Sequence, residues 1–223
     1  MGSDVATRTV VFADLVGFTA ATDIHGDETA VDLARRLASA TIAALPNRGL
    51  FVKAIGDATL CTFDEPIAAV GFVDRLLQIA AHEPDFPALC IGLDHGPVLA
   101  AHGDIFGSTV NIASRLSSAA RPGQVLATSA VASSGLPIRE VISLGPMQLR
   151  NISDPIEVFD LRFSIDTVER RVDPICQMLV RETTALRLGA GTNDEQWFCS
   201  RDCLDRFRFR RDSGRPLGEG RPE

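Results

Sequence analysis

The sequence predicts an α+β fold: a ferredoxin-like β-α-β-β-α-β core with additional elements, followed by a small α/β module that contains cysteines. Two observations lead to this prediction. Over residues 8–162, β-branched apolar segments alternate with segments whose apolar residues recur at helical spacing. Near residues 165–172 the chain becomes charged and loses that pattern, and three of its five cysteines follow.

The first part of the chain contains a strand, a helix and a hairpin. Residues 8–13 are β-branched and apolar, which is typical of a buried strand. The spacing of apolar residues predicts a helix from about 27 to 45, ended by Pro46. Segments 50–54 and 58–63 have the composition of strands and flank a Gly-Asp turn, so we expect a β-hairpin.

The next part adds two helices and several strands. Apolar spacing predicts an amphipathic helix within 66–83 and another over about 108–119. Residues 88–94 predict a strand that ends at a Gly96-Pro97 turn, before a short return strand. We expect the helices to cover one face of the sheet. Three further segments have the composition of strands: QVLAT, REVISLGPMQL and PIEVFDLRF.

Composition favours a soluble, cytoplasmic protein. The chain has 223 residues, 45% hydrophobic and 23% charged, and a formal net charge of −7. This acidic balance lacks the basic footprint of nucleic-acid binding, so we expect no nucleic-acid polymer as a partner. No stretch approaches the ~18–20 apolar residues that span a bilayer, and no signal sequence is evident. We therefore expect no membrane association.

Changes in composition divide the chain into four predicted segments. A first domain over 5–164 is followed by a charged linker over 165–172. A cysteine-containing module follows over 173–212. Residues 213–223 carry Gly, Pro and charges without an apolar face, so we expect a disordered tail.

Two carboxylates stand at the ends of predicted strands. Asp14 ends the first strand, and Asp57 lies at the hairpin tip, four residues after Lys53. Neighbouring strands are about 4.8 Å apart, so carboxylates at one edge of the sheet could share divalent cations such as Mg²⁺. Spacing alone leaves an alternative, in which Asp14 caps a helix, Asp57 is a turn residue and Lys53 pairs with it.

Five strings in a fixed order decide between these alternatives. Over roughly residues 8–162 they resemble the catalytic domain of class III nucleotide cyclases, which implies the cyclase fold on a ferredoxin-like core. Each string alone is a weak signal, and the five together are specific. They are FADLVGFT (12–19), KAIGD (53–57), GLDHGPV (92–98), GDIFGSTVNIASRL (103–116) and GPMQLRNISDPIEVFDL (145–161).

The resemblance implies a site for two Mg²⁺ or Mn²⁺ ions and a triphosphate. The amides of Gly17, Phe18 and Thr19 would bind the β- and γ-phosphates. Arg150 stands where the family usually has a lysine that holds the terminal phosphates, and arginine keeps the charge but changes the geometry. The implied metal ligands are Asp14, Leu15 and Asp57.

The resemblance also implies residues that read the base and act in catalysis. Lys53 and Asp104 match the base-reading pair and suit adenine, because Asp104 can accept from the N6 amine and Lys53 can donate to N1. Guanylate-specific members typically have glutamate and cysteine there. Asn111 and Arg115, one helical turn apart, would orient the ribose and contact the reacting phosphate. Without the surrounding motif, Arg115 would be interpreted as a surface cation on an amphipathic helix.

Together these residues imply an adenylate cyclase that converts ATP to 3′,5′-cyclic AMP and pyrophosphate. In the family the active sites form between two chains, so we expect a homodimer. The loop before Asp104 is short where longer members carry a hairpin arm that wraps the partner, which leaves the strength of the dimer open. The alternative function is a weakly active or inactive cyclase-like module that binds nucleotide and senses a metal or redox state.

Three cysteines near the C-terminus follow a Cys-x22-Cys-x3-Cys pattern. DPICQMLV and WFCSRDCLDRF, within 173–212, resemble the YHS domain of the TRASH type. The thiolates of Cys176, Cys199 and Cys203 could bind Zn²⁺ or Cu⁺. The arrangement of the two domains leads to the hypothesis that the module regulates the cyclase. We expect Cys199 and Cys203 to share a helix face. This segment has no histidine, so Asp173, a water or a second chain could supply a fourth ligand. The alternative is a set of buried cysteines without metal.

Overall fold

The computed structural model covers most of the chain. The residues it describes are 4–83, 85–135, 138–164, 170–189, 191 and 194–213. Residues 165–169 of the predicted linker and 214–223 of the predicted tail lie outside them. Among the described helices, none combines the length and apolar character needed to cross a membrane.

A mixed sheet of eight strands forms the centre of the protein. The strands are β1 (Asp4–Leu15), β2 (Gly49–Ile55), β3 (Ala58–Phe63), β4 (Leu89–Ala101), β5 (Asp104–Phe106), β6 (Val125–Thr128), β7 (Glu140–Met147) and β8 (Ile156–Arg162). They follow the order β2-β3-β1-β4-β6-β8-β7, and β5 pairs with β4 beside this path. The pair β4–β6 is parallel and the other pairs are antiparallel. The predicted α+β class is confirmed.

In the part of the chain that the structure describes, five helices accompany this sheet: α1 (Phe18–His25), α2 (Asp27–Ala44), α3 (Pro66–His82), α4 (Ser108–Ala119) and α5 (Ser129–Ala132). The bounds of α4 are those predicted. Pro66 begins α3, where its missing N–H removes no helical hydrogen bond. Leu45 follows α2 in an extended conformation, because the ring of Pro46 disfavours a helical residue before it.

Helices cover both faces of the sheet, so the expectation that they cover one face was wrong. Val11 and Ala13 of β1 join a large core that also contains residues of α2 and α3. Val10 and Phe12 belong to a second core, together with Ala113 of α4. Consecutive apolar residues in β1 are the pattern of a strand that is buried on both faces.

Helix α4 lies close to the sheet over Gly92. Gly92 pairs with Phe12 across the β1–β4 ladder, on the face that α4 covers. A Cβ atom at Gly92 would overlap the carbonyl oxygen of Ala113 and the amide nitrogen of Ser117. Glycine therefore sets the distance between α4 and the central strands.

Strand β4 is continuous over 13 residues, so the predicted turn at Gly96-Pro97 was wrong. Both residues pair with β1, opposite Arg8 and Thr7. On its other side β4 pairs with β6 over 91–93 and with β5 over 99–101. Pro97 lies between these two segments, so its missing N–H falls where β4 has one neighbouring strand.

The described residues of the C-terminal unit form four short strands and one helix. These are β9 (Arg170–Val172), β10 (Leu179–Arg181), β11 (Leu186–Leu188), β12 (Gln196–Phe198) and α6 (Arg201–Asp212). Its buried core includes Phe198 and Phe207, and Ile24 of α1 packs against that core. The amide of Leu179 donates to the carbonyl of Phe86 at 3.2 Å. The unit therefore contacts both α1 and the segment that leads into β4.

We predict that Gly92→Ala destabilises the protein by about 1–3 kcal/mol, because the added methyl group forces α4 away from the sheet. Urea unfolding followed by circular dichroism measures the change. Gly71→Ala is the matched control. Its Cβ would meet only the end of the Arg75 side chain, at 3.7 Å, within α3. We expect the control to be neutral or up to about 1 kcal/mol more stable. Equal stability of Gly92→Ala and the wild type would contradict the close approach of α4.

Candidate active site

Asp14 and Asp57 lie at the same end of two neighbouring strands. Asp14 is the penultimate residue of β1 and pairs with Ala58, the first residue of β3. Asp57 precedes Ala58 in the β2–β3 turn, and its carbonyl oxygen accepts from the amide of Leu15 at 3.1 Å. The fold therefore brings together the three residues predicted as metal ligands.

The carboxyl groups of Asp14 and Asp57 are harder to ionise than free carboxyl groups. Burial, together with the charge of Asp57, raises the pKa of Asp14 from 3.8 to about 6. Burial also raises the pKa of Asp57. The Oδ1 atom of Asp14 is buried and has no hydrogen-bond partner among the described residues. A hard divalent cation would supply the missing partner and offset the repulsion between the carboxylates, so this donor set fits Mg²⁺ or Mn²⁺.

A tight turn connects β1 to α1. Gly17 has φ = 68° and immediately precedes Phe18 and Thr19, the first residues of α1. The first amides of a helix lack acceptors within it, so this turn presents donors that suit an anion. The C-terminal unit lies against the same turn. A Cβ atom at Gly17 would lie 2.5 Å from the Cβ of Gln177 and 2.8 Å from the carbonyl oxygen of Cys176.

Lys53 pairs with Asp104, not with Asp57. A bulge in β2 between Phe51 and Lys53 places Lys53 opposite Leu60, which belongs to the core under α4. Bulges change the face to which a side chain points. The hydrogen bond from Lys53 and one from the amide of Ile105 lower the pKa of Asp104. The predicted base-reading residues thus meet within one chain, on the α4 face of the sheet.

Three further predicted residues lie near this face or at its border. Asn111 is exposed and Arg115 is half-buried, one turn apart on α4. Arg150 is exposed in the turn between β7 and β8. Neither arginine has an ion-pair partner among the described residues. Both guanidinium groups therefore retain donors for a phosphate.

The sequence model of the adenylate and guanylate cyclase catalytic domain matches residues 3–159. The chain belongs to this family. The predicted resemblance of its first domain to class III cyclases is thereby confirmed. The match ends before the C-terminal unit, and the resemblance of 173–212 to the YHS domain stays a prediction.

Curated relatives and a solved structure agree with this assignment. A pH-sensitive adenylate cyclase of Mycobacterium tuberculosis is 35% identical over 159 residues, which cover 69% of this chain and 40% of that protein. An adenylate cyclase of Streptomyces coelicolor is 37% identical over 124 residues, covering 55% of this chain and 32% of that protein. The adenylyl cyclase CyaB from P. aeruginosa has the same fold, with a TM-score of 0.63, 20% identity, and coverage of 76% of this chain and 100% of that chain. This chain thus spans less than half the length of the two relatives.

Beside the cyclase domain, the three C-terminal cysteines converge. The Sγ atoms of Cys176 and Cys199 are 3.4 Å apart, and those of Cys199 and Cys203 are 3.6 Å apart. The hydrogen bonds from Cys176 and Cys199 lower the pKa of Cys203. Cys199 precedes Ser200, the N-cap of α6, so the prediction that it shares a helix face with Cys203 was wrong. Cys176 lies in the turn between β9 and β10.

A histidine of the cyclase domain joins these cysteines. The Nε2 atom of His25, the last residue of α1, lies 3.5 Å from Sγ of Cys199 and 3.9 Å from Sγ of Cys203. Sequence reasoning missed His25 because it considered only Asp173, a water or a second chain as the fourth ligand. The lack of a histidine in the C-terminal segment was the one sequence signal that a residue from elsewhere in the chain could complete the group. Asp173 is not part of the group, since its carboxylate accepts the amides of Ile175 and Cys199, both at 2.8 Å.

We predict that Asp14 makes the metal-free protein less stable as the pH rises from about 4 to 7. The folded protein holds the proton on Asp14 to about pH 6 and the unfolded chain only to about 3.8. The folded state therefore binds more protons in this window, and the free energy of unfolding falls as the pH rises. Because each pKa unit corresponds to about 1.4 kcal/mol and solvent screens this carboxylate, we expect a change on the order of 1 kcal/mol.

Urea unfolding in a chelator, at pH 4.5 and 7.5, measures this effect for the wild type and Asp14→Asn. The stability of Asp14→Asn relative to the wild type should increase at the higher pH, because asparagine carries no charge. An offset between the two proteins that is the same at both pH values would contradict the prediction.

Proposed function

We propose that this protein is an adenylate cyclase that converts ATP to 3′,5′-cyclic AMP and pyrophosphate. The observation that carries the proposal is the Lys53–Asp104 pair on the sheet face covered by α4. Phe12, on that same face, lies two residues before Asp14 in β1. A strand that alternates its side chains directs Asp14 to the face of Phe12. This supports a common surface for the Lys53–Asp104 pair, proposed to read the base, and the carboxylate of Asp14.

Asp14 and Asp57, with the backbone of Leu15, would hold two Mg²⁺ or Mn²⁺ ions. When bound, these ions supply positive charge that favours ionisation of the ribose 3′-hydroxyl and neutralises phosphate oxygens. The unpartnered Oδ1 of Asp14 and the raised pKa values of both carboxylates support this role. The amides of Gly17, Phe18 and Thr19 would bind the β- and γ-phosphates, and Arg150 would hold the terminal phosphates.

Adenine suits the Lys53–Asp104 pair. The carboxylate accepts from the exocyclic N6 amine, and the ammonium donates to N1. Guanine has a carbonyl at C6 and a protonated N1, so it presents the opposite pattern. Because each residue already holds the other in place, little ordering is required when the base arrives.

In the proposed reaction the ribose 3′-oxygen attacks the α-phosphorus, and the bond from that phosphorus to the β-phosphate oxygen breaks. The 3′-hydroxyl loses its proton, and pyrophosphate leaves with the bond electrons. Arg115 would stabilise the charge that develops on the α-phosphoryl oxygens, and Asn111 would orient the ribose. In a homodimer, each site would combine the carboxylates of one chain with the α4 residues of its partner.

A second candidate function is supported by the C-terminal unit. Gln177 and Cys176 lie against Gly17, at the turn proposed to bind phosphates. In this alternative the cyclase domain binds nucleotide with little or no turnover and reports the metal or redox state of the cysteines. Residues 173–212 would then be a YHS-like sensor.

We predict that the purified chain forms cyclic AMP from ATP with Mg²⁺ or Mn²⁺ and forms little cyclic GMP from GTP. Asp57→Ala should abolish product because one of the paired carboxylates is lost. Product is measured by chromatography, at concentrations where light scattering shows a dimer. Absence of product with either nucleotide, under those conditions, would favour the sensor function.

Arg115→Ala should lower kcat by about 10²–10³, because a single donor to the transition-state charge is removed. Steady-state kinetics with ATP give the change. Arg121→Ala is the control, since Arg121 is exposed just beyond the end of α4. The proposed role fails if both variants keep the wild-type kcat.

A further inference from the structure

We propose that His25, Cys176, Cys199 and Cys203 form a four-coordinate Zn²⁺ site that joins the cyclase domain to the C-terminal unit. One ligand atom from each residue lies within 4.8 Å of the other three. The histidine comes from α1, and the three cysteines come from a turn, a loop and α6 of the C-terminal unit. Neither part of the chain contains the complete ligand set.

The distances match those of a tetrahedral zinc site. Bonds of about 2.3 Å to sulfur and about 2.0–2.1 Å to nitrogen place two sulfurs about 3.8 Å apart, and a sulfur and a nitrogen about 3.5 Å apart. Two of the three sulfur separations are 3.4 and 3.6 Å, and two of the three nitrogen–sulfur separations are 3.5 and 3.9 Å. The other two separations, from Cys176 to Cys203 and to His25, lie within 4.8 Å. A Zn²⁺ ion therefore fits between these atoms with small shifts.

Hydrogen bonds hold the ligand-bearing segments in this arrangement. The buried carboxylate of Asp173 accepts from the amides of Cys176, at 3.3 Å, and Cys199, at 2.8 Å. One residue thus fixes two ligands that are far apart in the chain. The hydroxyl of Ser200, the N-cap of α6, accepts a hydrogen bond from the amide of Cys203 at 3.3 Å. Such outer groups orient the ligands of protein metal sites.

The ligand set favours zinc over copper. Four closely spaced ligands with one imidazole suit the tetrahedral preference of Zn²⁺ and form a closed, structural site. Cu⁺ prefers softer surroundings of thiolates and thioethers. Cys176 and Cys203 are fully buried, and His25 and Cys199 are partly exposed.

Other contacts already attach the C-terminal unit to α1, and the zinc site would add a further link. Ile24, next to His25, packs against the core of the C-terminal unit. Arg206 of α6 forms an ion pair with Asp23 at 3.6 Å. This pair is exposed and contributes little by itself. A metal bond to His25 would therefore be the strongest link between α6 and α1.

Zinc binding to the full chain tests the proposal without reference to cyclase activity. Under reducing conditions, competition with a chromophoric chelator should give one Zn²⁺ per chain. His25→Ala should weaken the affinity by at least about 100-fold, because the loss of outer groups alone costs about 10–100-fold. His82→Ala should leave it unchanged, since His82 is also the last residue of a helix but is exposed. Equal affinity in His25→Ala and the wild type, or no stoichiometric Zn²⁺ in the wild type, would overturn the proposal.

X-ray absorption at the zinc edge of the wild-type protein gives a second test that needs no variant. We expect three sulfur neighbours and one imidazole, whose ring carbons produce a characteristic outer-shell signal. Three sulfurs with oxygen, or four sulfurs, would exclude His25 as a ligand. A Cys199→Ser variant should lose one sulfur neighbour or the ion altogether.

Discussion

The alternation of side chains along β1 is the constraint on which the rest of the structure depends. This strand pairs with a neighbour on each side and has helices over each face, so its apolar residues from Val10 to Leu15 each belong to one of two cores. Val11 and Ala13 serve the larger core. Val10 and Phe12 serve the core under α4, and the next residue in that row is Asp14. A shift of one residue in register would turn the carboxylate into the apolar core.

The cyclase domain contains two kinds of charge pair. Lys53 and Asp104 have opposite charges and satisfy each other before any ligand arrives. Asp14 and Asp57 have the same charge, and burial makes both harder to ionise. In the proposed function, the first pair would form a rigid recognition site. The second pair would depend on cations for its ionised form, so recognition and chemistry would respond to different conditions.

Local patterns in the sequence predicted most elements, because strands, helices and the β2–β3 hairpin have strong periodicity or turn residues. These patterns failed where contacts between distant parts of the chain determine the structure. Gly96 and Pro97 predict a turn, yet pairing with β1 keeps β4 extended. The bulge before Lys53 has no sequence signal, although it determines the face of that side chain. His25 could not be linked to Cys199, 174 residues away, without the folded chain.

The contact between Gly17 and the turn at Cys176 and Gln177 has a thermodynamic consequence. If zinc binds the cysteines and a triphosphate binds at Gly17, as proposed, the two ligands would share one boundary. Any factor by which zinc changes the affinity for ATP would equal the factor by which ATP changes the affinity for zinc. The ATP concentration would then help to set how much zinc the protein carries.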